Sequence, residues 1–480
     1  DKMAKKPTSN RPTRARPGKA QPDKGYVRTE DAPVLPPPPS EAGISGWLWH
    51  NVLASCSDFT SIGSAVRSIV MAFFTVFVGW LTISTAWGLF DFAVLSAVWS
   101  DPDGIKREAC FTIDQGGQLP SGWHGACWPF VAAKMKFMMY GPYDIDQLWR
   151  VNLAGIIGLI GLAWVMIEPL PYRRYVGIFL LTVYPLLTII LLYGGGFDVS
   201  LMTLSIIFMI GLALITFGRL AGRGLLGETM AAFASAGGIG CWLMVGYGVV
   251  MLFLGVVYGL RTIYTNQWGG LLITLVVAIT GIVASLPLGI VLALGRRSSM
   301  PIARILSIVF IEFWRGVPLI TVLFMASVML PLFLPEGVNF DNLLRALIGV
   351  MLFSAAYMAE VIRGGLQAMD KGQYEGADAL GLSYWEKMRL IILPQALTHV
   401  IPGIVNTFIG LFKDTTLVSI IGLFDLLGAA QSAISDVAWA TPVQAHTGYL
   451  FVAAVFFVFC FGMSRYSIYM ENKLSRGRKH

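Results

Sequence analysis

The chain has 480 residues, 55% of them hydrophobic and 13% charged, with a mean hydropathy of +0.67. Soluble domains carry about 25% charged residues, so these proportions exclude a water-soluble globule. Apolar runs near the ~20 residues that span a bilayer as a helix also exclude a barrel of short alternating strands. The net charge of +7 does not point to nucleic acid, because the basic residues gather in the N-terminal tail and at the edges of apolar runs. The five cysteines have no metal-ligand spacing, and no metal site is expected.

In chain order, Asp1 and Lys2 read as a tag remnant ahead of Met3. Residues 1–67 form a tail rich in Pro, Lys and Arg, expected to be largely disordered. No apolar run follows Met3 closely enough for a signal peptide. Ten candidate spans come next, at 68–90, 152–167, 175–193, 199–217, 241–260, 269–294, 303–334, 343–362, 400–424 and 448–469. The seventh is long, and Pro318 is a site for a kink. The one sizeable loop, 91–150, contains Cys110 and Cys127 with Gly116, Gly117, Pro120 and Gly122 between them. An oxidising compartment allows these two cysteines to pair; otherwise they are plain thiols, as Cys56, Cys241 and Cys460 are expected to be.

Lysine and arginine set the orientation. With the N-terminal tail in the cytoplasm, 26 of the 35 basic residues fall in cytoplasmic segments and six in external ones. The bias puts both termini inside and loop 91–150 outside. Eight spans with two re-entrant or interfacial helices satisfy the same rule. Charges inside or beside spans recur only after about residue 265: Glu312, Arg315, Glu360, Arg363, Lys413 and Asp414. The chain therefore divides into a tail (1–67), a transmembrane extension (68–265), a core (266–470) and a basic C-terminal tail (471–480).

Between the eighth and ninth spans lies a cytoplasmic segment, 371–394, with Glu375, Gly376, Ala377 and Gly381 in its first part and Ile391, Leu393 and Pro394 at its end. Its small and apolar residues suit one short helix with a sharp turn at Gly381, then a second helix, Tyr384–Ile391, broken by Pro394. Two short helices at a fixed angle make a rigid knob for a soluble partner. The segment resembles the EAA loop of ABC-importer permeases, departing from it in carrying Gly376 where that pattern has Ala. The stretches Phe310–Leu319, Ala356–Gly365 and Phe412–Leu417 are similar to signatures of histidine/glutamine-type polar amino-acid permeases. Leu286–Ser298, Phe324–Phe333, Cys460–Tyr466 and Gly117–Phe130 resemble M-type permeases of general L-amino acid transporters. About three N-terminal spans are typical of that branch, and five are read here, so 194–265 looks like an insertion.

The resemblance implies an all-α polytopic protein, a five-helix importer core preceded by about five extra spans, in the bacterial inner membrane. It implies a heterodimer with a related permease, two copies of an ATPase that hold ATP and Mg, and a periplasmic amino-acid-binding protein. The residues agree in one respect: no Gly-x-x-x-x-Gly-Lys-Ser/Thr phosphate loop is present, so nucleotide chemistry is expected on a separate subunit and this chain is not expected to be an enzyme. The alternative is a self-contained secondary amino-acid transporter or channel, which would carry its own ion site and often internal repeats; it leaves the EAA-like segment without a role.

Two readings of the core charges stand. Glu360 and Arg363, and likewise Glu312 and Arg315, share helix faces at three-residue spacing and either neutralise each other or line a polar route. Lys413 and Asp414 either pair or join that route. On the route reading, Glu360 takes the ammonium end of the substrate, Arg315 or Arg363 the carboxylate end, and Asp414 is a second acceptor.

Overall fold

The computed structural model describes residues 62–100, 107–167, 169–194, 260–333, 340–439 and 441–476, with scattered positions between 208 and 246. Among these the chain is helical, and β pairing is confined to isolated bridges. Among the described residues, seven helices are long and apolar enough to cross a bilayer, or eight with one bent pair counted as a span. Three of them precede residue 265. The N-terminal tail and most of the expected spans 199–217 and 241–260 lie outside the described residues. Contacts divide the chain into Asp1–Leu89 and Phe90–His480.

Helix α1, Ile62–Phe90, exposes Phe73, Phe74, Val78 and Ile83, which lie on different sides of the helix. A helix apolar on all sides belongs in lipid. In the second unit, loop 91–150 is more structured than its composition suggests. It contains α2, Trp128–Tyr140, which starts with Pro129 where a missing N–H costs nothing. Phe130, Val131 and Met138 of α2 are buried. Cys110 and Cys127 are joined as a disulfide with Cα atoms 5.9 Å apart. The Cys127 amide donates to Thr447 Oγ1 at 3.0 Å, and the indole of Trp128 donates to the Ala93 carbonyl at 3.0 Å.

Helices α3 (Leu148–Met166) and α4 (Arg173–Tyr193) form an antiparallel pair. Arg150, fully buried, ties their ends together. Its Nε donates to Gln147 Oε1 at 2.9 Å, Nη1 to the Leu191 carbonyl at 3.4 Å and Nη2 to the Arg261 carbonyl at 2.7 Å. The Ile263 amide donates to the Tyr193 carbonyl at 2.9 Å. The end of α4 and residues 261–263 are therefore held side by side.

The core is built on α5 (Gly270–Arg296) and α8 (Asn342–Gln367). Their backbones approach closely: a Cβ on Gly289 would lie 2.8 Å from Met358 Cβ and 3.1 Å from the Ala359 amide. Small residues at such crossings allow the dense packing that holds membrane helices together. Helices α6 (Pro301–Gly316) and α7 (Leu319–Phe324, continuing through a π turn to Phe333) were expected as one kinked span; they are bent by 103° at Val317–Pro318. The cause is local: proline bars the helical conformation for the residue before it, and Val317 is extended.

Helix α11 (Leu393–Asp414) passes into a 3₁₀ turn, Thr415–Ile421, then come α12 (Leu426–Ile434) and α13 (Gln444–Arg476). Asp425 caps α12, accepting from the Gly428 amide at 2.9 Å and the Leu427 amide at 3.1 Å, and is fully buried beside the start of α5. Burial outweighs these two bonds and pushes its carboxyl up to about 6.

Two outcomes are expected. The fold binds the Asp425 proton more tightly than the unfolded chain does, so stability falls as pH rises from about 4 through about 6 and then levels off, by about 3 kcal/mol over that window. Asp425→Asn keeps a cap oxygen and should flatten this slope in thermal unfolding between pH 4 and 7; an unchanged slope assigns it elsewhere. Secondly, protein from an oxidising compartment, alkylated without reductant, should show Cys110 and Cys127 unmodified by mass. Replacing both with alanine should cost about 3 kcal/mol for this loop; two alkylated thiols would contradict the pairing.

Candidate coupling segment and charge cluster

Segment 371–394 begins with α9, Lys371–Ala379, and turns at Gly381. The Leu382 amide donates to the Ala377 carbonyl at 3.3 Å and the Gly381 amide to the Asp378 carbonyl at 3.0 Å. This double bond is the Schellman termination, and it needs the left-handed conformation that Gly381 adopts at φ 72°. Ala377 is buried and anchors the helix, whereas Glu375 and Gly376 face out. A Cβ on Gly376 would meet nothing within 4 Å, so Gly and Ala are equally accommodated there.

Ser383 then caps α10, Tyr384–Lys387, in a reciprocal box: its amide and hydroxyl both donate to Glu386 Oε2, at 2.9 and 2.7 Å. Lys387 pairs with Asp378, and Gln395 Nε2 donates to Gln373 Oε1 at 3.0 Å, so the two short helices are braced against each other and against α11. The expected break at Pro394 does not occur. A π turn over Met388–Ile392 leads straight into α11, and Pro394 sits in the first turn of α11. There its missing N–H leaves no bond unmade. Ile391 and Leu393 are half-buried, and Pro394 is exposed.

Near this segment, charges from three helices converge. Glu360 on α8 receives Arg296 of α5 (2.5 Å, Oε1), Arg315 of α6 (3.6 Å, Oε1) and Arg363 of α8 (2.7 Å, Oε2). Arg296 also reaches Glu312 of α6 at 3.0 Å. Three cations thus face two anions. The Glu360 side chain is 15% exposed and that of Glu312 55%. Glu360 is therefore not an open acceptor for an ammonium group, as the sequence reading had it: an incoming cation would meet three guanidinium groups on that carboxylate. Lys413 and Asp414 lie apart from the cluster at the end of α11; within 4 Å neither makes an ion pair among the described residues.

The family described as binding-protein-dependent transport system inner membrane component matches residues 285–475. An inner membrane amino-acid ABC transporter permease of Escherichia coli K12 is 43% identical over 424 residues, covering 86% of this chain and 94% of that one. The chain belongs to the amino-acid ABC transporter permeases. A glutamate/glutamine/aspartate/asparagine transport system permease of Rhodobacter capsulatus is 41% identical, over 95% of this chain and all of that one. A crystallised amino acid ABC transporter with histidines shares 31% identity over 42% of this chain and 92% of its own, at a TM-score of 0.38. This permease is thus a multi-pass membrane component of a binding-protein-dependent amino-acid transporter.

The sequence reading of the permease missed Arg296, the residue that joins both acids of the cluster. It appeared as a loop cation that fixes topology. An acid at 360 with cations in separate apolar segments was the available signal, but which cation reaches it depends on helix packing. Arg345 was likewise unassigned; it donates to the Ser327 carbonyl in the π turn of α7.

The permease should respond unequally to loss of its two acids. Glu360→Gln leaves three guanidinium groups facing a weak acceptor and should destabilise by about 2 kcal/mol. Glu312→Gln, at an exposed site, should cost under about 1 kcal/mol. Thermal unfolding of the purified protein checks this; equal losses would show that Glu360 is no hub.

Proposed function

We propose that this chain is the permease subunit of an ATP-driven importer of polar L-amino acids in the bacterial inner membrane, with both termini cytoplasmic. It forms the translocation route with a related permease, receives substrate from a periplasmic binding protein, and is driven by two copies of an ATPase that carry ATP and Mg. The name of the Rhodobacter relative, for acidic amino acids and their amides, supports substrates of that class. The basic residues of segments 1–67 and 363–399 support the orientation.

The observation that carries this reading is the braced segment 371–394. Its Schellman turn and its Lys387–Asp378 pair hold Glu375 and Gly376 outward on a short, stiff helix. A stiff projection transmits the motion of a soluble partner, whereas a floppy loop absorbs it. A self-contained transporter has no use for such a projection.

The charges Glu312, Arg315, Glu360, Arg363, Lys413 and Asp414 are proposed to line the route. With a cation in excess, the cluster around Glu360 favours a substrate carboxylate over its ammonium. Asp414, half-buried and outside the cluster, is the better partner for the ammonium.

Gly381→Asp places a side chain at a left-handed position and a charge on the docking face, and Glu375→Lys reverses a charge there. Both variants, expressed normally with the neighbouring subunits, should import amino acid at least about tenfold more slowly, equivalent to about 1.4 kcal/mol. Ordinary uptake by both would refute docking through this segment.

A further inference from the structure

Helix α5 ends in two consecutive arginines that point to different sides, since successive helical residues are rotated by about 100°. Arg296 enters the charge cluster, bridging Glu360 at 2.5 Å and Glu312 at 3.0 Å. Arg297, the C-cap, turns towards the coupling segment. Its Nη1 donates to the Leu366 carbonyl at 2.8 Å and to the Tyr374 hydroxyl at 3.1 Å, and its guanidinium lies 5.6 Å from the Tyr374 ring centre. The Tyr374 hydroxyl in turn donates to the Leu366 carbonyl at 3.4 Å. Among the described residues no carboxylate lies within ion-pair distance of Arg297. Its guanidinium is spent on neutral acceptors in two different elements, the end of α8 and α9, which is the arrangement of a bridge between them.

Tyr374 immediately precedes Glu375. A cavity of about 190 Å³, lined by Leu294, Leu366, Tyr384, Lys387 and Met388 with Arg297 and Tyr374, opens beside the contact. A fully packed contact would resist displacement, whereas this space lets α9 tilt while the Arg297–Tyr374 link holds. Any tilt that carries Tyr374 pulls on Arg297, and Arg296 follows through one peptide bond. The bridge from Arg296 to Glu312 is the exposed member of the cluster and joins α5 to α6, the limb bent away from α7.

We propose that Arg297 is the positioning residue that links the coupling helix to the charge cluster: through Tyr374 it sets whether Arg296 spans Glu360 and Glu312 or lets α6 go. This rests on the reading that segment 371–394 docks an ATPase.

The test uses the complete transporter, with its binding protein, in proteoliposomes, and measures amino acid imported per ATP hydrolysed. Arg297→Met should lower this ratio at least about tenfold and Tyr374→Phe, which keeps the ring and loses the hydroxyl, about threefold. If Arg297→Met fails to assemble, Tyr374→Phe decides. The readout that separates a relay from simple support is the combination with Glu312→Gln: acting in series, the double variant Arg297→Met/Glu312→Gln falls no further than the worse single variant. Losses that multiply mean independent structural roles and overturn the proposal, as does an unchanged ratio in the assembled single variants. Gly381→Asp runs in parallel. If it uncouples while the Arg297 and Tyr374 variants do not, the relay is wrong and docking stands; if it too is without effect, docking has failed and the relay falls with it.

Discussion

Glu360 offers two carboxylate oxygens to three guanidinium groups, and through them the end of α8 is fastened to the ends of α5 and α6. Beyond that cluster, α5 and α8 meet through close small-residue packing such as the Gly289–Met358 crossing and through the bond from Arg297 to the Leu366 carbonyl. Packing of that kind fixes how closely two helices approach but leaves sliding cheap. The charge cluster removes that freedom at one end of the bundle. It does so without neutrality: three cations face two anions there.

The backbone has irregularities where the cluster and the coupling segment need them. The break at Pro318 separates α6 from α7 at 103°. The π turns at Met325–Met329 and Met388–Ile392 each shift the helical register. Such turns concentrate at working parts of membrane and soluble proteins alike. In this chain one lies beside Arg345 and the other connects the coupling segment to α11. In the second, the Leu393 amide donates to the Met388 carbonyl across the π turn, and the helix continues through Pro394.

The stretch after α4 is handled differently. Arg150 binds the carbonyls of Leu191 and Arg261 and so holds these two points of the chain together. Loop 91–150 is secured by a similar economy, with Cys127 held at once by the disulfide and by Thr447 of α13.

The sequence by itself determined the membrane class, the positions of most described spans and the short helix with its turn at Gly381, because each is encoded locally. Apolar length, the spacing from Glu375 to Pro394, and the need for glycine at a left-handed turn are all readable within a window of about 20 residues. It also placed Glu312, Arg315, Glu360 and Arg363 inside or beside spans. Only the tertiary structure decided who meets whom. Arg296 and Glu360 are 64 positions apart, and nothing in either neighbourhood distinguishes a topology-fixing arginine from one that turns inward. The helix hidden in loop 91–150 shares that origin: Phe130 packs against Trp439, a contact between residues distant in sequence that no local pattern records.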